Sequence, residues 1–476
     1  MITQSFYHIR PKRNKAHYLS IEWTFVALET GLIFLQLPIW RPGRYQAQHF
    51  AKNIPSIYQL IEGEQEAVAK VSGSCWQVQA KAGERIHLCW DYYALQEDAG
   101  GSVVQEEFLY INFINCCLFV KGCEDLDVEV QLAFPDHWHY LTSLGLKEGH
   151  SFLAKSYREL VDSPFMAAPV LQVAAWEEKG VQFKAGGFDP LFAINQKVIQ
   201  SYQKFTAFQL NYMGGFPVNS YVYMHWICPK PYYHGVEHTK STMIVLGAPE
   251  RDLYEDLIGV ASHELFHVWN ICTIRPKELL PYAYEKEVIF PSGGVVEGIT
   301  TYLGDWFLFA SEVWTADEYV AGLQGNLKLH FERERDHAQS LVDSSVDLWL
   351  DGYGQALPGK RVSIYYKGAL MALGLDVLIR QKFGHQKSIR EVMLLMNERF
   401  GQLKQGYTLQ GFYQLCSEVY ESDLSNWFAR WMESSTDLFE ELNTLLAYIG
   451  LELQMSDSEL HLKKFDEERF LMYRKA

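Results

Sequence analysis

Nowhere in the 476 residues is there an uninterrupted apolar run of about 18 residues, the length a helix needs to cross a bilayer, so a membrane-spanning helix is excluded. Basic charge is scarce: 42 Lys and Arg stand against 58 Asp and Glu, a formal net charge of −16. Nucleic acid and anionic membranes both demand clustered Lys and Arg, and the one early group, Arg10, Lys12, Arg13 and Lys15, is short enough to read as a solvated face. No nucleic-acid partner and no membrane partner are therefore expected. The N-terminus lacks the charged start, apolar stretch and small-residue cleavage site of a secretory signal, so a cytoplasmic location is expected. Paired C-x-x-C motifs are absent as well. The eight cysteines, at 75, 89, 116, 117, 123, 228, 272 and 416, are scattered, and several sit in apolar runs such as Phe113-Ile114-Asn115-Cys116-Cys117-Leu118-Phe119. That placement points to buried free thiols. Internal repeats and low-complexity segments are missing too.

Core-forming material is plentiful: 48% of residues are hydrophobic and 14% aromatic, ample for several domains at this length. The stretches 18–25, 31–37, 85–93, 108–120 and 127–134 are rich in β-branched and aromatic residues and are separated by Gly, Pro, Asn or Asp, which predicts strands. Alternation such as Ile86, Leu88 and Trp90 against Arg85, His87 and Cys89 predicts an antiparallel sheet with one wet face. Between 187 and 212 the period becomes helical, through Phe192, Ile194, Val198, Ile199, Tyr202 and Phe205. Strands return at 220–227 and 242–246. A long helix then spans 250–270, with Leu253, Leu257, Val260, Ala261, Leu265 and Val268 as its apolar stripe and acidic residues crowding its start from Glu250 onward. Pro276 and Pro281 prevent its continuation. Beyond Gly293 helical spacing dominates, with a capping box at Thr315-Ala316-Asp317-Glu318 and helices over 364–382, 389–400, 409–420 and 424–432. The expected organisation is multidomain α+β. A β-sandwich-like domain occupies 1–185, an α+β catalytic domain 186–310, an α-helical domain 311–453 and a tail 454–476.

Inside the long helix lies His263-Glu264-Leu265-Phe266-His267, the H-E-x-x-H pattern. Positions four apart share a helix face, so both imidazoles can reach one metal ion while Glu264 stands beside its open coordination position. An amphipathic helix with two surface histidines is the competing reading. Two histidines leave a zinc ion short of one protein ligand if a water is to hold the fourth place. Glu297, in Gly293-Gly294-Val295-Val296-Glu297-Gly298-Ile299-Thr300-Thr301-Tyr302, lies 30 positions after His267, far enough for a loop to set a second helix beside the first. On spacing alone, a Glu placed at a helix start by the helix dipole explains Glu297 equally well.

The run H-E-L-F-H-V-W-N from His263 to Asn270, with Arg275-Pro276 and Glu297-Gly298-Ile299-Thr300-Thr301-Tyr302 beyond it, closely resembles the glycyl aminopeptidase family of thermolysin-like metallopeptidases. Leu37-Pro38-Ile39-Trp40-Arg41-Pro42-Gly43-Arg44-Tyr45 is similar to that family's N-terminal signature, and Leu160-Val161-Asp162-Ser163-Pro164-Phe165 to the segment that ends its β domain. Tyr365-Tyr366-Lys367-Gly368, followed by Leu375-Asp376 and Ile379-Arg380, resembles its Y-x-K-G helix. The resemblance runs from about residue 18 to 453. It implies an N-terminal β domain, a thermolysin-like catalytic domain and a helical C-terminal domain, with Zn2+ as cofactor and Glu297 as third ligand. Many family members continue into a PDZ module where this chain stops, so no PDZ-mediated partner is expected.

Further roles follow from the resemblance. Tyr365 occupies the place where the related aminopeptidase N family puts the phenol that stabilises the oxyanion. Tyr366 is its competitor, since adjacent helical residues face about 100 degrees apart. His234-Gly235-Val236-Glu237-His238 resembles the G-G-L-E-H form of the family and the G-x-M-E-N motif of aminopeptidase N, in which an edge strand lines the substrate backbone and the Glu holds the free α-ammonium. Gly235 and Glu237 are thereby implied as substrate-binding residues. His234 replaces the first glycine, and a side chain there is expected to narrow or alter the site. Cys272 and Thr273 stand where the family usually has basic residues.

The expected function is a zinc metallopeptidase, an aminopeptidase releasing Gly or Ala from peptides with a free N-terminus. His263, His267 and Glu297 hold the metal, Glu264 moves the proton, Tyr365 donates to the oxyanion and Glu237 pairs with the ammonium. A zinc endopeptidase with an open cleft and a non-catalytic scaffold that keeps the fold are the alternatives. Asn270, Thr301 and Asp305 are equally eligible as hydrogen-bond partners of the metal histidines, and the oligomeric state is left open.

Overall fold

Alternation of apolar and polar residues over the first 170 positions builds three sheets, one of eight strands and two of four. The structure, a computed structural model, describes residues 1–191, 193–247, 252–332, 339–354, 357–457 and 459–475. Near the centre of the largest sheet lies Ile2–Pro11, antiparallel to Tyr18–Ala27 and parallel to Val128–Leu132. Its alternation is broken by a bulge: Gln4 has φ 56° and the register shifts between Thr3 and Phe6, which hides the strand from a two-residue count. The apolar run expected as one strand over 108–120 is two short strands, Leu109–Ile111 and Phe119–Val120, around a 3-10 turn at Phe113–Asn115. Burial on all sides, not pairing, explains its uniform hydrophobicity. All eight cysteines are free.

A fourth, five-stranded sheet runs in the order Gln172–Glu178, Val181–Phe188, Ser220–Cys228, Ser241–Gly247, Tyr232–Glu237. Its inner pairs are parallel and its two outer pairs antiparallel, leaving Tyr232–Glu237 as an edge strand. The boundary expected at residue 185 falls inside a strand of this sheet. The helix expected from 187 begins at Gln196 and runs to Tyr212, because the Asn195 side chain accepts the N–H groups of Lys197 and Val198 and so caps it there. Phe192 and Glu250, included in the helical readings above, lie outside the described residues. The metal-pattern helix is Tyr254–Phe266, with His267 as its C-cap. It ends before Asn270 because the chain turns sharply there, with Ile271 at φ 115°.

Against this helix lies a widened π turn, Gly294–Gly298, that continues as the facing helix Ile299–Ala310. The two helices approach where a side chain on Gly304 would stand 3.1 Å from the Cα of His263, and Ser262 Oγ donates to the Gly304 carbonyl at 2.7 Å. The next crossing is closer still. A Cβ on Gly368, in the helix Tyr366–Phe383, would lie 2.7 Å from the Cα of Gly298, so the Glu297 turn and the Y-x-K-G helix meet backbone to backbone.

Past residue 311 the chain is helical, and Ala316–Phe331 and Ile389–Met396 both start with capping boxes, at Thr315 and Ser388. The segment read as a tail is integrated: Leu451–Ser456 pairs with Glu459–Lys464, and the helix Glu467–Tyr473 follows. Tyr473 is buried. Its hydroxyl lies 2.7 Å from that of Tyr302 and 3.0 Å from that of Tyr319. Tyr302 donates to Asp376 at 2.5 Å, and Asp376 pairs with Arg380 at 2.8 Å and accepts the Ile389 N–H at 2.8 Å. Arg380 in turn donates to the Lys475 carbonyl at 2.9 Å. The architecture is the expected multidomain α+β one, an N-terminal β domain, a central α+β domain and a C-terminal helical domain. Among the described residues, no helix is long and apolar enough to cross a membrane.

Two substitutions test this frame. Asp376→Ala leaves the buried Arg380 guanidinium without its carboxylate and is expected to cost about 3–5 kcal/mol, read as a lowered midpoint of denaturation. Gly368→Ala overpacks the backbone crossing and is expected to cost about 1–3 kcal/mol in the same measurement.

Candidate active site

The spacing of the H-E-x-x-H pattern brings the two imidazoles together as helical geometry requires: the Nε2 atoms of His263 and His267 are 3.0 Å apart. The facing helix supplies Glu297, whose Oε2 lies 3.3 Å from His267 Nε2 and 3.8 Å from His263 Nε2. All three ligand atoms fall within 4.8 Å of one another. Two ring nitrogens and one carboxylate turned toward a common centre, with His267 and Glu297 each only 2% exposed, form a donor set that a divalent transition-metal ion would satisfy.

Of the three residues eligible to orient the histidines, Asn270 takes the role. Its carbonyl accepts from His267 Nδ1 at 2.9 Å, fixing Nε2 as the nitrogen that faces the centre. The Asn270 side chain donates to the carbonyls of Val295 and Val296 at 3.1 and 2.9 Å, and to Thr300 Oγ1 at 3.0 Å, so one residue orients a ligand on the first helix and ties that helix to the turn carrying Glu297. Thr301 and Asp305 line the cleft instead. Thr273 donates to the Val268 carbonyl at 2.7 Å and closes the loop after the helix, while the Cys272 thiol is pushed up by burial and then by Asp162.

Glu264 is 6% exposed, and its Oε2 has no hydrogen-bond partner. Burial is the main force that pushes its carboxyl up to about 8, opposed by His267 and reinforced by Glu237 and Glu297. A cation at the three-ligand centre would act in the other direction. Gly235, on the edge strand, faces this carboxylate: a Cβ there would overlap it and stand 2.7 Å from Val260 Cγ2. Tyr365 caps the Y-x-K-G helix, with its ring 6.5 Å from that of His263 and a side-chain hydrogen bond to Tyr353. Burial, followed by the charge of Glu297, raises its pKa well above that of an ordinary phenol, so it keeps its proton. Tyr366 also lines the cleft.

Strand alternation answers the question raised by His234. Tyr233, Gly235 and Glu237 share one face of the edge strand and Tyr232, His234 and Val236 the other. Val236 packs into a cluster with Phe108 and Trp226, and His234 Nε2 lies 3.3 Å from a guanidinium nitrogen of Arg41. The imidazole is therefore directed toward the N-terminal domain and away from Glu264. Burial, then the Arg41 charge, lowers its pKa to about 4, so it is neutral. His234 nonetheless lines the cleft, held toward Arg41, while Gly235 is the position where a Cβ would meet the Glu264 carboxylate.

Glu237 is 6% exposed with Oε1 unpartnered, and burial raises its pKa. The residue that covers it comes from the N-terminal domain. Gly43 has φ 76°, and a Cβ on it would overlap the Glu237 carboxylate, so both conformation and space call for glycine. Within the signature-like run Trp40-Arg41-Pro42-Gly43-Arg44-Tyr45, the Pro-Gly pair is the sequence signal of this tight turn. Tyr353 also lines the cleft, without a sequence signal that singles it out. Tyr45 is buried with its hydroxyl unpartnered, and burial and then Glu297 and Glu237 raise its pKa. Asp305 is raised to about 7 by burial and receives a hydrogen bond from Asn326 at 3.2 Å. The cleft has a volume of about 810 Å³. Among the described residues, Glu237, Glu255, Asp256, Glu264, Glu297 and Asp305 line it, with Arg44 as the one Arg or Lys.

Comparison with known proteins follows the same division of the chain. The Peptidase M61 N-terminal domain model matches residues 6–169, and the M61 glycyl aminopeptidase model matches residues 256–371. Among solved structures, an aminopeptidase N family protein from Idiomarina loihiensis is 25% identical and superposes with a TM-score of 0.89, covering 96% of this chain and 79% of that one. No curated protein sequence matches. With its N-terminal and peptidase domains both matched, in order, and the H-E-x-x-H and Glu297 elements inside the second match, this chain belongs to the M61 glycyl aminopeptidase family of peptidases.

Proposed function

We propose that this protein is a zinc-dependent aminopeptidase that removes small residues, Gly or Ala, from the free N-terminus of peptides. The observation that carries the reading is the orphaned Oε1 of Glu237, a buried carboxylate oxygen on the edge strand beside the three-ligand cluster. A peptide's α-ammonium is the group that satisfies it; the middle of a chain has nothing to offer there. His263, His267 and Glu297 would hold the zinc, which when bound supplies Lewis acidity to the attacking water and the scissile carbonyl.

The chain's own groups perform the rest. Glu264, with an unpartnered oxygen, accepts the proton of the attacking water and passes it to the leaving amine. Tyr365, kept protonated by burial, donates its hydroxyl hydrogen toward the developing oxyanion. The bare backbone at Gly235 lets the substrate lie along the edge strand over Glu264. The turn at Gly43 closes over Glu237 with Tyr45 close enough to feel its charge, an enclosure that supports a preference for Gly and Ala at the first position.

Replacing Glu264 by Gln is expected to leave metal content unchanged by elemental analysis and to lower kcat on an aminoacyl reporter by about a hundredfold to ten-thousandfold; undiminished turnover would sink the mechanism. Glu237→Ala is expected to lower kcat/KM for a free-amino glycyl substrate at least about thirtyfold more than for its N-acetylated counterpart. Equal losses on both would remove the ammonium-anchor role, and efficient cleavage of a blocked, internally quenched peptide by the native enzyme would favour an endopeptidase.

A further inference from the structure

Behind the ammonium anchor lies a second cavity, of about 330 Å³, at the lower end of the range for small-molecule sites. It shares no lining residue with the cleft, yet only adjacent residues separate the two. Arg41 and Pro42 line one, Gly43 and Arg44 the other; His238 lines one and Glu237 the other.

Four cations border this cavity: Arg41, Arg158, Lys240 and Arg275. The two carboxylates that border it are already engaged. Glu159 accepts from Lys240 at 2.6 Å and from the Lys155 N–H at 2.7 Å, and Asp162 is bonded to His238 Nδ1 and to the Thr239 N–H, both at 3.1 Å. Arg158 meets the exposed Asp125 at 3.4 Å, the Tyr282 carbonyl at 3.2 Å, and Tyr284 through a side-chain hydrogen bond and its ring at 5.8 Å. Arg275 donates to the carbonyls of Ile271 and Cys272 at 3.1 and 3.0 Å and lies over the Tyr282 ring at 4.2 Å. Among the described residues no carboxylate pairs with it. Arg158 and Arg275 thus approach Tyr282 from its carbonyl and from its ring.

Two further side chains lining the cavity carry unpartnered polar atoms despite near-complete burial: His238, 6% exposed, at Nε2, and Asn112, fully buried, at Oδ1. With Nδ1 committed to Asp162, the His238 ring turns its other nitrogen away from that carboxylate. The remaining walls are apolar, among them Ile114, Val161 and Leu280. A guanidinium beside apolar walls with no carboxylate partner is costly unless a ligand completes it.

We propose that this cavity binds a small organic carboxylate, with its charge held by Arg275 and Arg158 and its apolar body against Ile114 and Val161. Guanidinium suits this role because its planar fork meets a carboxylate through two parallel hydrogen bonds.

Benzoate serves as the probe, in isothermal titration calorimetry of the full-length protein, with benzamide and sodium chloride at matched ionic strength as controls. Saturable binding of benzoate at one site is expected, with benzamide at least about tenfold weaker and chloride not competing. Arg275→Met is expected to weaken benzoate about tenfold or more. Because Arg275 also holds two carbonyls of its own loop, Arg158→Gln provides an independent arm with the same expected loss and an unchanged melting profile. Absence of saturable binding, equal affinity for benzamide, displacement by chloride, or benzoate affinity that survives both substitutions, as binding at the three-ligand centre would, overturns the proposal. None of these readouts depends on peptidase activity.

Discussion

Three electron-rich atoms converge within 4.8 Å in the interior of this protein, and the structure around them is arranged to hold them there. Two imidazoles do not cluster for their own benefit, since each loses water and His267 lowers the pKa of His263; the Glu297 carboxylate offers an opposite charge to His267. Their placement is imposed by the backbone. The helical repeat sets His263 and His267, the side chain of Asn270 ties their helix to the Val295 and Val296 carbonyls, and the crossing of Gly298 with Gly368 brings the Y-x-K-G helix against the Glu297 turn. The glycines at 298, 304 and 368 therefore act at a distance: each lets two backbones approach so that side chains elsewhere are positioned. The Asp376 and Arg380 pair anchors that helix's far end to Tyr302, one turn beyond the ligand, and to the last helix of the chain.

The N-terminal domain is part of the same construction. Gly43 closes directly on the Glu237 carboxylate and Arg41 holds His234, so the edge strand is fixed from both faces. The loop after the metal helix is stitched to that domain as well, through the Tyr284 carbonyl accepting from the Ile39 N–H at 2.8 Å, the Ala283 carbonyl accepting from Trp40 Nε1 at 2.8 Å, and Lys121 paired with Glu285 at 2.7 Å.

Periodicity made much of this legible in the sequence. The metal helix, the facing helix, the Y-x-K-G helix and the capping box at Thr315 are local signals, carried by residues three or four apart, and the structure has each close to its expected place. Glu297 needed more than spacing, because a helix dipole explains a Glu at that position without any metal. What the sequence hid depends on contacts between distant segments. A bulge at Gln4 breaks the alternation of a strand near the centre of the largest sheet, and the strand at 172–178 pairs into the five-stranded sheet rather than into those of the N-terminal domain. The role of Gly43 is visible only once residue 237 is seen beneath it, and the face chosen by His234 follows from which side of the edge strand meets the N-terminal domain. Asn270 could not be singled out from Thr301 and Asp305 because its oriented group is a backbone carbonyl, which no side-chain pattern reports.

For the proposed aminopeptidase, selectivity for a chain end can come from either an attraction or a penalty, and the burial of Glu237 supports the penalty. In a cleft lined by six carboxylates, an incoming ammonium is drawn from a distance whatever its position in the substrate. That attraction is diffuse and weakened by salt, so it discriminates poorly between an α-ammonium and a lysine side chain. Glu237 is different: it is buried, its Oε1 has no partner, and Gly43 closes the space above it. A substrate without a cation at that point removes the remaining water from a carboxylate and returns nothing, and the cost of stranding a buried charge exceeds the net gain from pairing an exposed one. Discrimination of this kind acts through the wrong substrate's loss and needs no tight hold on the right one, so the released amino acid can leave.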